Sequence, residues 1–163
     1  MNKSVVITRN IYIQPMYIDS NIMKNVFSML KNKYEKTCDE DDGMILSIDD
    51  IKNVENMISK DSCYVIFQIT FSATVIKPEK GMKLIMKPSN ILSSKGIFGK
   101  IYDNINVFVP EINFKDLKDW KFSNDSYTNT KNGRVINKES QIEVVISDIK
   151  FNSTKYNCVC SMI

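Results

Sequence analysis

One segment of the chain has helical periodicity, and it lies among strands. Ile22, Val26, Leu30 and Tyr34 recur every fourth residue with Met23 and Phe27 beside them, while Lys24, Lys31 and Lys33 occupy much of the other side. Asp19 or Ser20 is placed to cap a helix over about residues 20–36, and basic residues in its last turn suit the helix dipole. Before it, "VVITRNIYI" reads as a β-branched strand that Pro15 ends. After it, the acidic run Asp39–Asp42 stops at Gly43, a turn, and Met44–Ile51 resumes as a strand. "CYVIFQITFSATVI" (Cys63–Ile76) is then a long strand, apolar enough on both sides to be mostly covered. The order strand, helix, strand, strand gives a small antiparallel sheet with one helix laid across it.

"KPEKG" (Lys77–Gly81) brackets charges between Pro and Gly and marks a boundary, giving domains 1–80 and 81–163. Beyond it the chain reads as strand and loop only. Strands are expected at Met82–Lys87, Ser94–Tyr102, Asn106–Val109, Gln141–Phe151 and Tyr156–Met162, with the polar segment Asp116–Lys131 intervening. Five short strands with a long connection before the last two is the order of an OB-fold barrel. The fold class is therefore α+β: a small antiparallel sheet with one helix, then a five-stranded barrel.

Composition decides which chemistry is open. The 163 residues are 43% hydrophobic and 25% charged, as in soluble globular domains. No apolar run approaches the roughly 20 residues of a membrane-spanning helix, and "MNKSVVITRNIYIQP" lacks a secretory core, so an intracellular protein with no membrane partner is expected. There is no histidine, which removes Ser–His, Cys–His and zinc-hydrolase designs. Cys38, Cys63, Cys158 and Cys160 lack metal-knuckle spacing and read as buried or partly buried thiols. "DEDDG" resembles the start of a calcium loop but lacks its alternating acids and its closing Glu, so no metal or cofactor is expected. A magnesium nuclease built on Asp39, Asp41, Asp42, Asp49 and Asp50 would crowd its ligands on one loop, a poor geometry. Residues 1–80 carry 10 basic against 11 acidic side chains, and residues 81–163 carry 12 against 8. The second half is thus the modest electrostatic candidate for an anionic partner. Lys, Asn and Ile exceed a third of the chain, the bias of an AT-rich genome, so no lysine is functional by count alone.

Several stretches together resemble the larger stalk subunit of multisubunit DNA-dependent RNA polymerases, the family of the seventh-largest subunit of RNA polymerase II and the archaeal E-prime subunit. "IYIQPMYID" and the helix after it resemble the family's opening strand, proline turn and helix. "EKTCDEDDGMILSIDDIKNVEN" is similar to its tip loop, with a "TC", a glycine five residues on and a strand ending near "IxN". "FSATVIKPEKGMKL" is similar to the junction of tip and OB domains through "P-x-x-G", "KGIFGKIYDNINVFVP" to the OB signature, and "NKESQIEVVISDIKFNSTKYNCVCSMI" to the closing strand pair. Pro88 and "SNILSS" depart from the pattern, which implies a distorted first barrel hairpin.

The resemblance implies a non-catalytic subunit whose N-terminal domain wedges into polymerase core subunits. The docking surface would lie at Thr37–Asn53, with Thr37, Cys38, Asp42, Gly43, Met44, Asp49 and Asn53 as its candidates. An acidic loop suits basic grooves on a partner, although taken without the resemblance it reads more readily as a solvated turn. A second small stalk subunit would bind alongside, around Cys63–Ile76 and Lys77–Gly81. Nascent single-stranded RNA would run over the barrel. The setting would be virion and host cytoplasm for a large DNA virus with its own polymerase, or the nucleus for a cellular one. The rival reading is a freestanding OB-fold RNA-binding protein, for example translation-associated.

RNA-binding OB folds use outward aromatics for stacking and lysines to follow phosphates. Alternation puts Phe98, Lys100 and Tyr102 on one side of their strand and Ile97, Gly99 and Ile101 on the other. The aliphatic side suits the barrel interior, so the aromatic-basic side should face out. Lys87 and Lys95 lie near it, and Arg134 and Lys150 are further phosphate candidates. Phe98 and Tyr102 read equally as stacking surface or packing. Phe108, beside Val107 and Val109, reads more readily as core, and Trp120, Phe122 and Tyr127 as a clamp over one barrel end.

Overall fold

The structure, a computed structural model, describes residues 2–163. The chain divides into two compact units, Met1–Lys77 and Pro78–Ile163. In the first, β1 (Asn2–Ile13) is followed by a single 3-10 turn at Pro15–Tyr17 and helix α1 (Ile22–Tyr34). Then come the short β2 (Cys38–Asp39), the long β3 (Gly43–Ile58) and β4 (Val65–Ile76). The antiparallel sheet has the order β1-β4-β3-β2. The helix starts later than expected: Asn21 is its N-cap, and the Asp19 carboxylate, two residues before it, accepts the Asn21 N–H.

Strand β4 is central, hydrogen-bonded along its length to β1 and β3. Alternation sends Phe67, Ile69, Phe71, Ala73 and Val75 to one face, where Ile7, Ile11 and Ile13 of β1 join them. Val26 and Leu30 of α1, both fully buried, close this core, and Ile22, Phe27 and Tyr34 pack at its margin. The other face of β4 carries Gln68, Thr70, Ser72 and Thr74, half-buried and polar. Ile66 and Ile76 flank them on that face, half-buried and buried, so the strand is covered on both faces with its main apolar core on one.

Strand β3 feeds the same core by an unusual rule. Three bulges lie between Ile45 and Ser47, Ile48 and Asp50, and Ile51 and Asn53. Each adds one residue, so core-facing positions recur every third residue instead of every second. Ile45, Ile48, Ile51 and Val54 accordingly stand opposite Val75, Ala73, Phe71 and Ile69.

The second unit is a closed barrel, order β11-β12-β7-β6-β5. Its strands are β5 (Lys83–Leu92), β6 (Gly96–Ile101), β7 (Ile105–Pro110), β11 (Ile142–Asn152) and β12 (Lys155–Met162). β12 pairs with β7 in parallel and the other neighbours are antiparallel. In barrel order the first, second, third, fifth and fourth strands follow one another, the arrangement expected of an OB-type barrel. Pro88 does not end β5. The strand passes it with a bulge between Pro88 and Asn90, which accommodates a residue without an N–H.

Between β7 and β11 the sequence reading saw only a polar connection. It holds a small sheet of β8 (Trp120–Ser123), β9 (Ser126–Asn129) and β10 (Val135–Ile136) in the order β10-β9-β8. Tyr127 is its anchor. It is 1% exposed and meets Phe114 and Phe122 edge-on, while Trp120 meets Phe114. Its hydroxyl lies 2.9 Å from both the Leu92 carbonyl and a Glu111 carboxylate oxygen, sharing one proton between them. Burial first, and then the Glu111 carboxylate, push the Tyr127 phenol well above its ordinary value. The aromatics do form a clamp, Trp120 and Phe122 half-buried around a buried Tyr127. Among the thiols, Cys158 and Cys160 are buried in the barrel and Cys38 is half-buried, whereas Cys63 is exposed, contrary to expectation.

Two measurements check this architecture. Gly43 has φ +89°, and a Cβ there would stand 2.6 Å from the Ile76 carbonyl oxygen. Gly43→Ala should therefore cost about 2–3 kcal/mol, read as a lowered urea midpoint; an unchanged midpoint would contradict the turn. Tyr127→Phe should cost about 1–3 kcal/mol at neutral pH by removing the phenolic donor from the Glu111 carboxylate and from the Leu92 carbonyl, which keeps only the Lys95 N–H at 3.4 Å. The folded protein holds the Tyr127 proton more tightly than the unfolded chain, so that contribution is full below about pH 10 and lost as pH rises further. Stability should fall less steeply above pH 10 in the variant than in the wild type.

Candidate nucleic-acid interface

Barrel closure sends alternate residues of β6 and β7 inward: Ile97, Gly99, Ile105, Val107 and Val109 are all buried. The intervening residues face out and line up across strands. Phe98 stands opposite Phe108, and Lys100 opposite Asn106. Phe108 is in register with Val159 on β12, and Asn106 with Asn157. Asn157 in turn pairs with Lys150 on β11, and Lys100 with Lys87 on β5. Two adjacent rows result. One runs Lys87, Lys100, Asn106, Asn157, Lys150; the other holds Phe98, Phe108 and Val159.

The phenylalanines are stacked, with centroids 4.4 Å apart and planes 20° from parallel. Both are half-buried and outside the barrel, so Phe108 is surface-facing and not core. Inward Val107 and Val109 fill the interior instead. With Ser89, Lys100, Asn106, Asn157 and Val159 the pair lines a groove of about 400 Å³. Asn106 donates a side-chain N–H to the Asn157 side-chain oxygen at 2.9 Å. An aromatic platform beside an amide pair, flanked by lysines, offers a base a stacking surface and its phosphates cations.

The other candidates fall around or away from this groove. Tyr102 is not on β6: it sits in the β6–β7 turn with left-handed φ 58° and is half exposed, so it does not extend the row of Phe98 and Lys100. Lys95 lies in the β5–β6 turn, exposed. Lys87 reaches Glu139 at 3.3 Å, which offsets part of its charge. Arg134 is exposed beside β10 and lines a separate depression with Trp120 and Asn132. Asp148, in register with Val159, ends the aromatic row, and the ammonium of Lys80 at 3.0 Å holds its carboxyl below the ordinary range. The sequence reading missed Asn106 and Asn157; only cross-strand register brings them together.

The docking candidates form a stiffened turn. The Asp39 carboxylate accepts the N–H groups of Asp41 and Asp42, Arg9 holds Asp42 at 2.7 Å and lies 3.8 Å from Asp39, and Lys77 donates to the Asp41 carbonyl. Thr37 donates to the Tyr34 carbonyl and is exposed, Cys38 is half-buried, and Gly43 and Met44 are buried. Asp49 sits on a bulge, accepting from Ser47 and Thr74, and Asn53 is exposed at the next bulge. Asp50 pairs with Lys52. Among the described residues no three Cys, Asp or Glu side chains converge to hold a metal. Expected to receive a second subunit, β4 has both edges occupied, so a partner there could meet only its polar face. A separate apolar pocket of about 480 Å³ lies between α1 and the end of β1, lined by Tyr12, Tyr17, Ile22, Met29 and Tyr64. No helix among the described residues is long and apolar enough to cross a membrane.

With the geometry in place, similarity to known proteins bears on it. Residues 8–69, nearly all of the first sheet and its helix, match the SHS2 domain found in the N terminus of Rpb7p/Rpc25p/MJ0397. Over 157 residues the chain is 24% identical to DNA-directed RNA polymerase II subunit RPB7 of Glycine max, covering 95% of this chain and 88% of that one. It is 23% identical to DNA-directed RNA polymerase II subunit 7 of Arabidopsis thaliana over the same shares. The chain is thus similar to RNA polymerase II subunit 7 proteins along nearly its whole length, and to the SHS2 domain of their family over residues 8–69.

Proposed function

We propose that the chain is a non-catalytic stalk subunit of a DNA-directed RNA polymerase that docks on the core through its first unit and carries nascent single-stranded RNA on its barrel. The observation that carries this reading is that the similarity runs through both units, not the matched SHS2 segment alone. The barrel face suits the second half of the role. Lys100 and Lys150 bracket the groove and Phe98 with Phe108 gives a stacked platform, where each stacked base is worth roughly 1–3 kcal/mol. With so few cations, contact should be loose, which suits a transcript that must move.

The acidic turn suits the first half. Arg9 and the Asp39 cap hold Glu40 and Asp41 at an exposed apex, a shape for a basic cleft. An AT-rich composition fits a large DNA virus with its own polymerase, acting in virion and host cytoplasm.

A tagged chain recovered from its native source and analysed by mass spectrometry tests the reading. Large polymerase subunits should co-purify, and Arg9→Ala, which frees Asp42, should lower their recovery several-fold without unfolding the barrel. Recovery of RNA or ribosomal proteins alone would overturn the proposal in favour of a freestanding RNA-binding protein.

A further inference from the structure

Asparagine is depleted in strands because its side chain competes for backbone hydrogen bonds. Yet Asn106 and Asn157 occupy strand positions on neighbouring strands, in register, at the floor of the groove. The Asn-rich composition accounts for asparagine somewhere on the surface. It does not account for two facing each other beside the chain's stacked phenylalanines. Local rules are most often broken where a site needs the residue.

Hydrogen-bond inventory says what the pair could read. Asn106 gives one N–H to the Asn157 oxygen, which fixes both amide planes. One N–H and the oxygen of Asn106 remain, as do both N–H groups and one lone pair of Asn157. Each amide thus keeps an adjacent donor and acceptor, held in place before any ligand arrives. A base stacked on Phe98 and Phe108 would lay its edge along this row, because the aromatic and amide rows are adjacent on the same strands. Because the two rings are stacked on each other, a base covers the free outer face of one of them. Adenine offers N6–H beside N7 on one edge and N6–H beside N1 on the other, so either edge presents the donor next to an acceptor that an asparagine amide pairs with. Guanine presents such a pair only on its N1–H/O6 edge, its other edge being the two acceptors O6 and N7, and cytosine and uracil each present one such edge.

We propose that the groove is a base-selective subsite that takes one unstacked adenine, with Phe98 and Phe108 holding its face and the Asn106–Asn157 pair reading its edge. This rests on the RNA-binding reading above and goes beyond it, because stacking and lysines alone would be indifferent to sequence. The flanking Lys100 and Lys150 contact phosphates and carry no preference.

The test is fluorescence anisotropy of the full chain with eight-nucleotide oligouridines carrying a single central A, G, C or U. The A-containing strand should bind about tenfold tighter than the others. Asn106→Thr and Asn157→Thr keep strand propensity, and either should bring affinity for the A-containing strand down to that of the other three. Phe98→Ala should weaken all four strands. Equal affinities in the wild type, or a preference that survives both Asn variants, would overturn the subsite while leaving RNA binding intact. Absence of binding to every strand would instead overturn the RNA-binding reading and the subsite with it.

Discussion

The in-register pairing of β6 with β7 is the constraint on which the interface depends. Once the barrel closes, inward positions have little room. A Cβ on Gly99 would lie 2.5 Å from the Met86 methyl and 2.8 Å from the Lys87 carbonyl oxygen. With the interior taken by Ile97, Val107 and Val109, the phenylalanines between them have only the outer face. Their stacking and the placing of Lys100 beside Asn106 follow from that register, and the β7–β12, β11–β12 and β5–β6 registers add Asn157, Lys150 and Lys87 to it. A slip of one residue would put Ile97 and Val109 in solvent and both rings in the core.

The first unit solves a different problem, how to offer a rigid projection from a small sheet. Its core is one-sided, and α1 seals it through Val26 and Leu30. The bulges in β3 increase local twist and free Asp49 from ladder pairing, so that its carboxylate can tie Ser47 and Thr74. Arg9, on the core-facing side of β1, is spared unpaired burial by Asp42. Such a partly exposed pair contributes on the order of 1 kcal/mol, enough to bias a turn but not to hold a fold. What it supplies is shape: the acidic apex is presented in one conformation.

Much of this was legible in the sequence. The four-residue repeat from Ile22 to Tyr34, the β-branched runs and the "KPEKG" junction specified the helix, both sheets' strands and the outward side of Phe98. Other elements were hidden for physical reasons. Ile45, Ile48, Ile51 and Val54 recur at three, a spacing that signals a bulged strand only when its partner is known. Tyr102 looked like one more alternating residue because nothing local marks a non-glycine left-handed turn. Phe108 looked like core because its valine neighbours are core, although alternation alone would have placed it outside. β8 to β10 are two to four residues long and mostly polar, below the length at which periodicity speaks. The asparagine pair is a fact of register and appears in no single segment.

The central claim joins a polymerase-borne chain to RNA on one barrel face, and crosslinking tests both parts at once. Polymerase engaged on a template, with a transcript carrying photoreactive uridines, would be irradiated, and the peptides of this chain joined to RNA identified by mass spectrometry. The account predicts crosslinks concentrated in the segments of β6, β7 and β12 that hold Phe98, Phe108 and Asn157. Crosslinks confined to residues 2–77, or none on this chain while other subunits are labelled, would contradict it.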